Sequence, residues 1–150
     1  MLPSLVPAYV SDILNLAIGH LRAHSRLPLV RASGYTTPDI ALQLAQSLPS
    51  SGSDLICLGA AEPRWNTGSG LIVAATVTVV DGLPPDTLRA TLAHELAHAL
   101  GVGHCTSTAE LMAPLAATNR WLGLGDMKAL RLVGRCASAH PTITAHEKGA

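Results

Sequence analysis

The sequence lacks several features that would assign it to a large class of proteins. It contains no phenylalanine, and its only aromatic residues besides histidine are two tryptophans and two tyrosines. Ten basic residues balance ten acidic ones, so no excess of positive charge marks a surface for nucleic acid or for an anionic membrane. No apolar run approaches the roughly 18 residues of a transmembrane helix. We therefore expect neither a nucleic-acid partner nor a membrane partner.

The sequence shows neither a secretory signal nor a disulfide framework. No positively charged segment opens the chain, and Asp12 and Asn15 interrupt the candidate apolar stretch. We expect a cytoplasmic protein, or one released by a non-standard route; its short, Ala- and Leu-rich chain would suit a bacterium or phage. Three cysteines are too few for a framework. They leave open one bridge between Cys105 and Cys136, or three thiols that include Cys57.

Aliphatic side chains supply the material for a folded core. Apolar residues make up 48% of the chain and charged residues only 13%, which is typical of a globular protein. The 150 residues are the length of one domain. We expect this domain to cover residues 1–136, with a flexible tail over residues 137–150, and the protein to be a monomer.

Periodicity and helix-end signals predict three helices. They cover residues 9–24, 85–100 and 127–133. Pro85 and Asp86 suit the first turn of the second helix, because proline has no N–H to lose there and aspartate complements the helix dipole. Gly101 ends that helix, and Asp126 caps the third.

The strand signals complete an α+β pattern. Strands are predicted over residues 27–32, 40–45, 55–58 and 71–80. The last of these is rich in β-branched residues, whereas proline, asparagine and small residues predict a loop over residues 62–70.

The stretch HELAHALGVGH, residues 94–104, carries the chemistry. His94 and His98 are four residues apart on a helix, so both imidazoles can reach one metal ion from the same face. Glu95 lies to the side, where a base could take a proton from metal-bound water. Gly101 permits the turn that brings in His104 as a third ligand. Three protein ligands leave a fourth position open, which is the arrangement of a catalytic zinc site.

A surface helix that happens to carry histidines is the simpler alternative. It does not explain why a glycine and a third histidine follow at the spacing that a metal needs. It does suit His20 and His24, which are also four apart but have no third ligand near them in the sequence. We interpret these two as surface residues.

The motif HExxHxxGxxH resembles that of the metzincin metallopeptidases. Met112, eight residues after His104, resembles the methionine of their Met-turn, and Pro114 two residues later favours the matrixin branch. Asp126 at the start of the last helix is similar to an aspartate of matrixins. The resemblance implies a small twisted mixed sheet of about four to five strands, an N-terminal helix, an active-site helix and a C-terminal helix.

The resemblance also implies a function and a cofactor. It implies a zinc-dependent endopeptidase that hydrolyses a polypeptide substrate with zinc-activated water and Glu95 as general base. One catalytic Zn²⁺ would be bound by His94, His98 and His104, with structural support from Gly101, Met112, Pro114 and Asp126. Matrixins of animals carry a second, structural zinc, but no histidine lies between residues 26 and 93 here, so none is expected. The acidic residues in that region are scattered, which leaves calcium doubtful.

Two other functions are compatible with the motif. One is a catalytically silent, zinc-bound interaction or structural module, although such a module has no use for Glu95. The other is a zinc hydrolase that acts on a non-protein substrate or removes only terminal residues.

Overall fold

The computed structural model describes residues 7–25, 29–31, 39–49, 56–114, 121–136 and 142–145, of which residues 134–136 and 142–145 are described by their backbone alone. These ranges form three α-helices and five β-strands. In chain order they are α1 (Ala8–Ser25), β1 (Val30–Arg31), β2 (Ile40–Ala45), β3 (Gly59–Trp65), β4 (Ile72–Val80), α2 (Pro85–Ala99), α3 (Leu124–Cys136) and β5 (Thr142–Ala145). The expected α+β class is confirmed. None of the described helices is long and apolar enough to cross a membrane.

The strands form one mixed sheet in the order β1-β5-β2-β4-β3. All neighbouring pairs are parallel except β3 and β4, which are antiparallel and joined by a short loop at residues 66–71. The side chain of Asn66 stabilises this loop, because its Oδ1 accepts hydrogen bonds from the amides of Gly68 and Ser69, both at 2.9 Å. The strand order places β3 at one edge of the described sheet.

The core lies between the sheet and the helices. Alternate residues of β2 and β4 are buried, as a period of two predicts, and the register places Leu42 beside Val77 and Leu44 beside Val79. α2 packs on β3 and β4 and also on α1, which in turn contacts α3. Leucines from all three helices are fully buried: Leu14, Leu21, Leu92, Leu96 and Leu130. The scarcity of aromatic residues is thus compensated by aliphatic packing.

The end of α2 is a Schellman motif that turns the chain sharply. The amide of Gly101 donates to His98 O at 2.9 Å, and the amide of Val102 donates to Ala97 O at 3.0 Å. Gly101 has φ 98°, the left-handed conformation that a residue with a Cβ adopts only with strain. The turn sends the chain back along the helix, with Val102 buried.

The structure confirms most predicted elements and corrects three. α1, β2, β4 and α2 lie within two residues of their predicted bounds. The strand expected at residues 55–58 is wrong for 56–58, and residues 62–65, expected in a loop, belong to β3. The flexible tail is wrong for Thr142–Ala145, which forms β5. In both β3 and β5 a neighbouring strand supplies the ladder bonds, which local composition does not reveal.

Leu14 and Leu16 lie on opposite faces of α1 and test the proposed core. Leu14 is fully buried and Leu16 is 62% exposed. We expect Leu14→Ala to lower the free energy of unfolding by about 2–5 kcal/mol, because it leaves a cavity. Leu16→Ala, the matched control, should change it by less than about 0.5 kcal/mol. Urea unfolding of both variants measures this; equal effects would contradict the packing.

Candidate metal centre

Three histidines converge where α2 ends and the chain turns back. His94 and His98 lie one turn apart on α2, and His104 follows the Schellman turn. Their Nε2 atoms are 3.0 Å apart for His94 and His98, 3.0 Å for His98 and His104, and 3.3 Å for His94 and His104. Among the described residues, these three histidines form the group that could hold a metal ion.

Backbone carbonyls determine which ring nitrogen of two histidines faces the centre. His94 Nδ1 lies 2.7 Å from Leu111 O, and His98 Nδ1 lies 2.7 Å from Val102 O. Because a carbonyl only accepts hydrogen bonds, each Nδ1 carries the proton and donates it. Burial lowers the pKa of both imidazoles, which favours their neutral form. Their Nε2 atoms therefore present lone pairs to the centre, the form in which histidine binds a metal.

The spacing of the three Nε2 atoms matches a tetrahedral zinc site. Zinc binds imidazole nitrogen at about 2.0–2.1 Å, which places two tetrahedral ligands roughly 3.3 Å from each other. The observed separations of 3.0–3.3 Å agree with that value. A single proton could bridge only one pair of lone pairs at a time, whereas one cation satisfies all three. The donor set thus fits zinc, and the described residues supply three of the four tetrahedral ligands.

Glu95 follows His94 on α2 and does not belong to the group of residues that could bind the metal. Its side chain is 8% exposed, and in the metal-free protein burial raises its pKa to about 7. The carboxylate lies against the first residue of β3. A Cβ added to Gly59 would lie 2.6 Å from Glu95 Cγ and 2.9 Å from Glu95 Oε1, so only glycine leaves room for this carboxylate. Sequence reasoning did not identify Gly59, since nothing in the sequence shows that β3 passes Glu95.

The backbone of Leu111 and Met112 links the histidines to α3. Leu111 O accepts the His94 proton, and Met112 O accepts the amide of Cys105, the neighbour of His104, at 3.0 Å. On the other side, Asp126 accepts the amides of Leu111 at 2.7 Å and Met112 at 3.3 Å. This turn therefore connects two of the three histidine segments to one buried carboxylate.

Asp126 and Glu110 hold the turn and α3 together reciprocally. Asp126 lies in the first turn of α3, 2% exposed, and also accepts the amide of Gly123 just before the helix at 3.0 Å. Glu110, just before the Leu111–Met112 turn, accepts the amides of Gly125 at 3.1 Å and Asp126 at 3.0 Å. These amide bonds lower the pKa of Glu110. Sequence reasoning missed Glu110, because its partners lie 15 and 16 residues further along the chain.

Of the other residues that the sequence singled out, some lie at the metal centre and others lie away from it. Met112 is 1% exposed and Pro114 is exposed at the end of the same turn. His20 and His24 stack edge to face on α1 and are not among the residues grouped around a metal. Cys105 is a free thiol, as is Cys57. The Cys136 side chain lies outside the described residues.

Comparisons with known proteins do not name a family for the chain. No protein-family model matches the sequence, and no curated protein matches it. We therefore infer the chemistry of the centre from its geometry.

The raised pKa of Glu95 predicts a pH-dependent stability in the metal-free protein. Between the ordinary value of 4.5 and about 7, the folded state binds more protons than the unfolded state, so the free energy of unfolding falls as pH rises. Glu95→Gln removes this contribution. We expect the variant to gain stability relative to wild type by about 1–3 kcal/mol between about pH 5 and pH 8.

Urea unfolding with a chelator across that range measures the effect. Ionisable groups that the two proteins share contribute equally to both curves, so their contribution cancels in the difference. A difference between variant and wild type that is the same at both ends of the range would contradict the burial of Glu95.

Asp126→Asn tests the connection from α3 to the histidines. The amide nitrogen of asparagine cannot accept a hydrogen bond, so at least one of the amides of Gly123, Leu111 and Met112 loses its partner. We expect zinc affinity to fall by about tenfold, as for other residues that orient metal ligands. Competition with a chromogenic chelator measures it. Asp12→Asn, on the exposed side of α1, is the control; equal affinities of the two variants would refute the connection.

Proposed function

We propose that this protein is a zinc-dependent endopeptidase of the metzincin type, similar to the matrixins. The observation that carries the proposal is the convergence of three imidazole Nε2 atoms within 3.0–3.3 Å beside a buried glutamate on the same helix. The HExxHxxGxxH motif, Met112 and Asp126 are the sequence features that favour this family.

The zinc site would be of the open, catalytic kind. A structural zinc takes four protein ligands, whereas a catalytic one keeps a position for water or substrate. Only three ligands come together in the described residues. A zinc ion held there would act as a Lewis acid towards water and the scissile carbonyl.

Glu95 would be the general base and then the general acid. It would accept a proton from the attacking water and return it to the leaving amine. Gly59 leaves room for this carboxylate, which is buried beside the first residue of β3. His94 and His98 would be kept in the ligating tautomer by Leu111 O and Val102 O. Each residue around the centre thereby has a distinct role.

The substrate would be an extended polypeptide. β3 begins beside Glu95 and forms one edge of the described sheet. Such an edge presents main-chain donors and acceptors that an extended peptide can pair with, which is a common mode of peptide recognition. This favours an endopeptidase over a hydrolase of small non-protein substrates.

Glu95→Gln separates the endopeptidase from a silent zinc module. We expect wild type and variant each to bind one zinc. In a quenched-fluorescence peptide library, the variant should lose activity by about 10²–10⁴-fold, because proton transfer by the carboxylate is lost. Glu62→Gln, an exposed glutamate on β3, is the control and should keep wild-type activity.

The outcomes distinguish the candidates. Stoichiometric zinc with equal cleavage by wild type and Glu95→Gln would contradict the peptidase and support the structural module. Release of single terminal residues alone would support an exopeptidase. Wild-type protein that binds no zinc would refute the proposal as a whole.

A further inference from the structure

The antiparallel register of β3 and β4 determines which amides of β3 face outward. The pairs run from Gly59 opposite Val79 to Pro63 opposite Ala75. In an antiparallel ladder, residues that bond to the partner strand alternate with residues whose N–H and C=O point away from it. The edge therefore presents either the odd or the even residues of β3.

Two hydrogen bonds identify the outward set. Val80 donates to Leu58 O at 2.9 Å, so residues 58, 60 and 62 bond to β4. Ala75 donates its amide to Asp39 O at 2.7 Å, on the β2 side, and so does not face Pro63. Gly59, Ala61 and Pro63 therefore direct their main-chain groups to the outer edge, where no described strand pairs with β3.

Pro63 interrupts this row of donors. Proline has no N–H, so it contributes a carbonyl but no donor to the edge. Proline at this position removes no hydrogen bond from the β3–β4 ladder, because the missing N–H would point away from β4. A shift in register follows between Arg64 and Trp65. The regular part of the edge thus ends at Pro63, and within residues 59–63 the outward N–H donors are those of Gly59 and Ala61.

The other end of this row lies at the candidate catalytic residue. The Cβ position of Gly59 is 2.9 Å from Glu95 Oε1. The Cys57 thiol lies 3.0 Å from Gly59 O and donates to it. Towards the outer edge, where no described strand pairs with β3, Gly59 therefore offers its N–H, while Ala61 offers both groups. A peptide bound along β3 would have its reacting bond near Gly59 and its far end near Pro63.

We propose that Pro63 limits substrate recognition to about three residues on the N-terminal side of the cleaved bond. The inference rests on the proposed peptidase function. The substrate pairs antiparallel to β3, the more stable arrangement, so its chain runs from Pro63 towards Gly59. With the first residue before the cleaved bond opposite Gly59, the third lies opposite Ala61 and makes two hydrogen bonds. The fifth lies opposite Pro63 and finds an acceptor but no donor.

The test compares wild type and Pro63→Ala on peptides of increasing length. A peptide that wild type cleaves is synthesised with three to six residues before the cleaved bond, and a second series varies the number of residues after it instead. For wild type, we expect kcat/KM to change little beyond the third residue. Pro63→Ala restores the missing donor, so kcat/KM should rise by about 2- to 10-fold when the fifth residue is added and stay at the wild-type value for the three-residue peptide.

Glu62→Ala is the matched control, because its amide faces β4 and its side chain is exposed. It should show the wild-type length dependence. A second measurement does not need turnover: in Glu95→Gln, a bound peptide should slow hydrogen exchange of the Ala61 amide.

Each result has one meaning. If Pro63→Ala and wild type show the same length dependence, the inference is wrong although the peptidase function stands. If residues after the cleaved bond respond instead, the assigned direction is wrong. If zinc-loaded wild type cleaves no peptide, the proposed function itself fails.

Discussion

The site depends on three imidazole lone pairs that are forced towards one point. His94 and His98 each donate Nδ1–H to a backbone carbonyl at 2.7 Å, and this leaves their Nε2 atoms without protons and within 3.0 Å of each other. His104 brings a third Nε2 to the same place. Lone pairs at this separation repel each other unless a cation lies between them. The arrangement is thus preorganised for a metal ion, and an ion held there would couple the protein's stability to metal binding.

The rest of the fold holds that point in place from two sides. The Schellman turn at Gly101 ends α2, supplies the carbonyl that orients His98 and brings His104 back. From the opposite side, Asp126 holds the Leu111–Met112 turn, whose carbonyls orient His94 and bind the amide of Cys105. Most of these contacts use backbone groups. Their geometry therefore depends on how α2, the turn and α3 pack, which explains the extensive aliphatic core behind a small site.

The sequence was sufficient to predict the three candidate metal ligands but not the residues that surround them. His94, His98 and His104 could be grouped because helix periodicity and one glycine turn place them locally. The same local rules gave α1, β2, β4 and α2. Glu110, Gly59 and the strand character of β3 and β5 were missed because each depends on a partner far along the chain: Glu110 bonds to the start of α3, and Gly59 touches Glu95. Such contacts are consequences of tertiary packing and carry no periodic signal.

We propose that His94, His98 and His104 hold one zinc ion and leave one coordination position open. X-ray absorption at the zinc edge, on protein loaded with one equivalent of zinc, identifies the ligands of the ion. We expect three imidazole nitrogens at about 2.0–2.1 Å, one further oxygen ligand, and no sulfur. A spectrum with four protein ligands, with a cysteine sulfur at about 2.3 Å, or of zinc that is merely hydrated would contradict it.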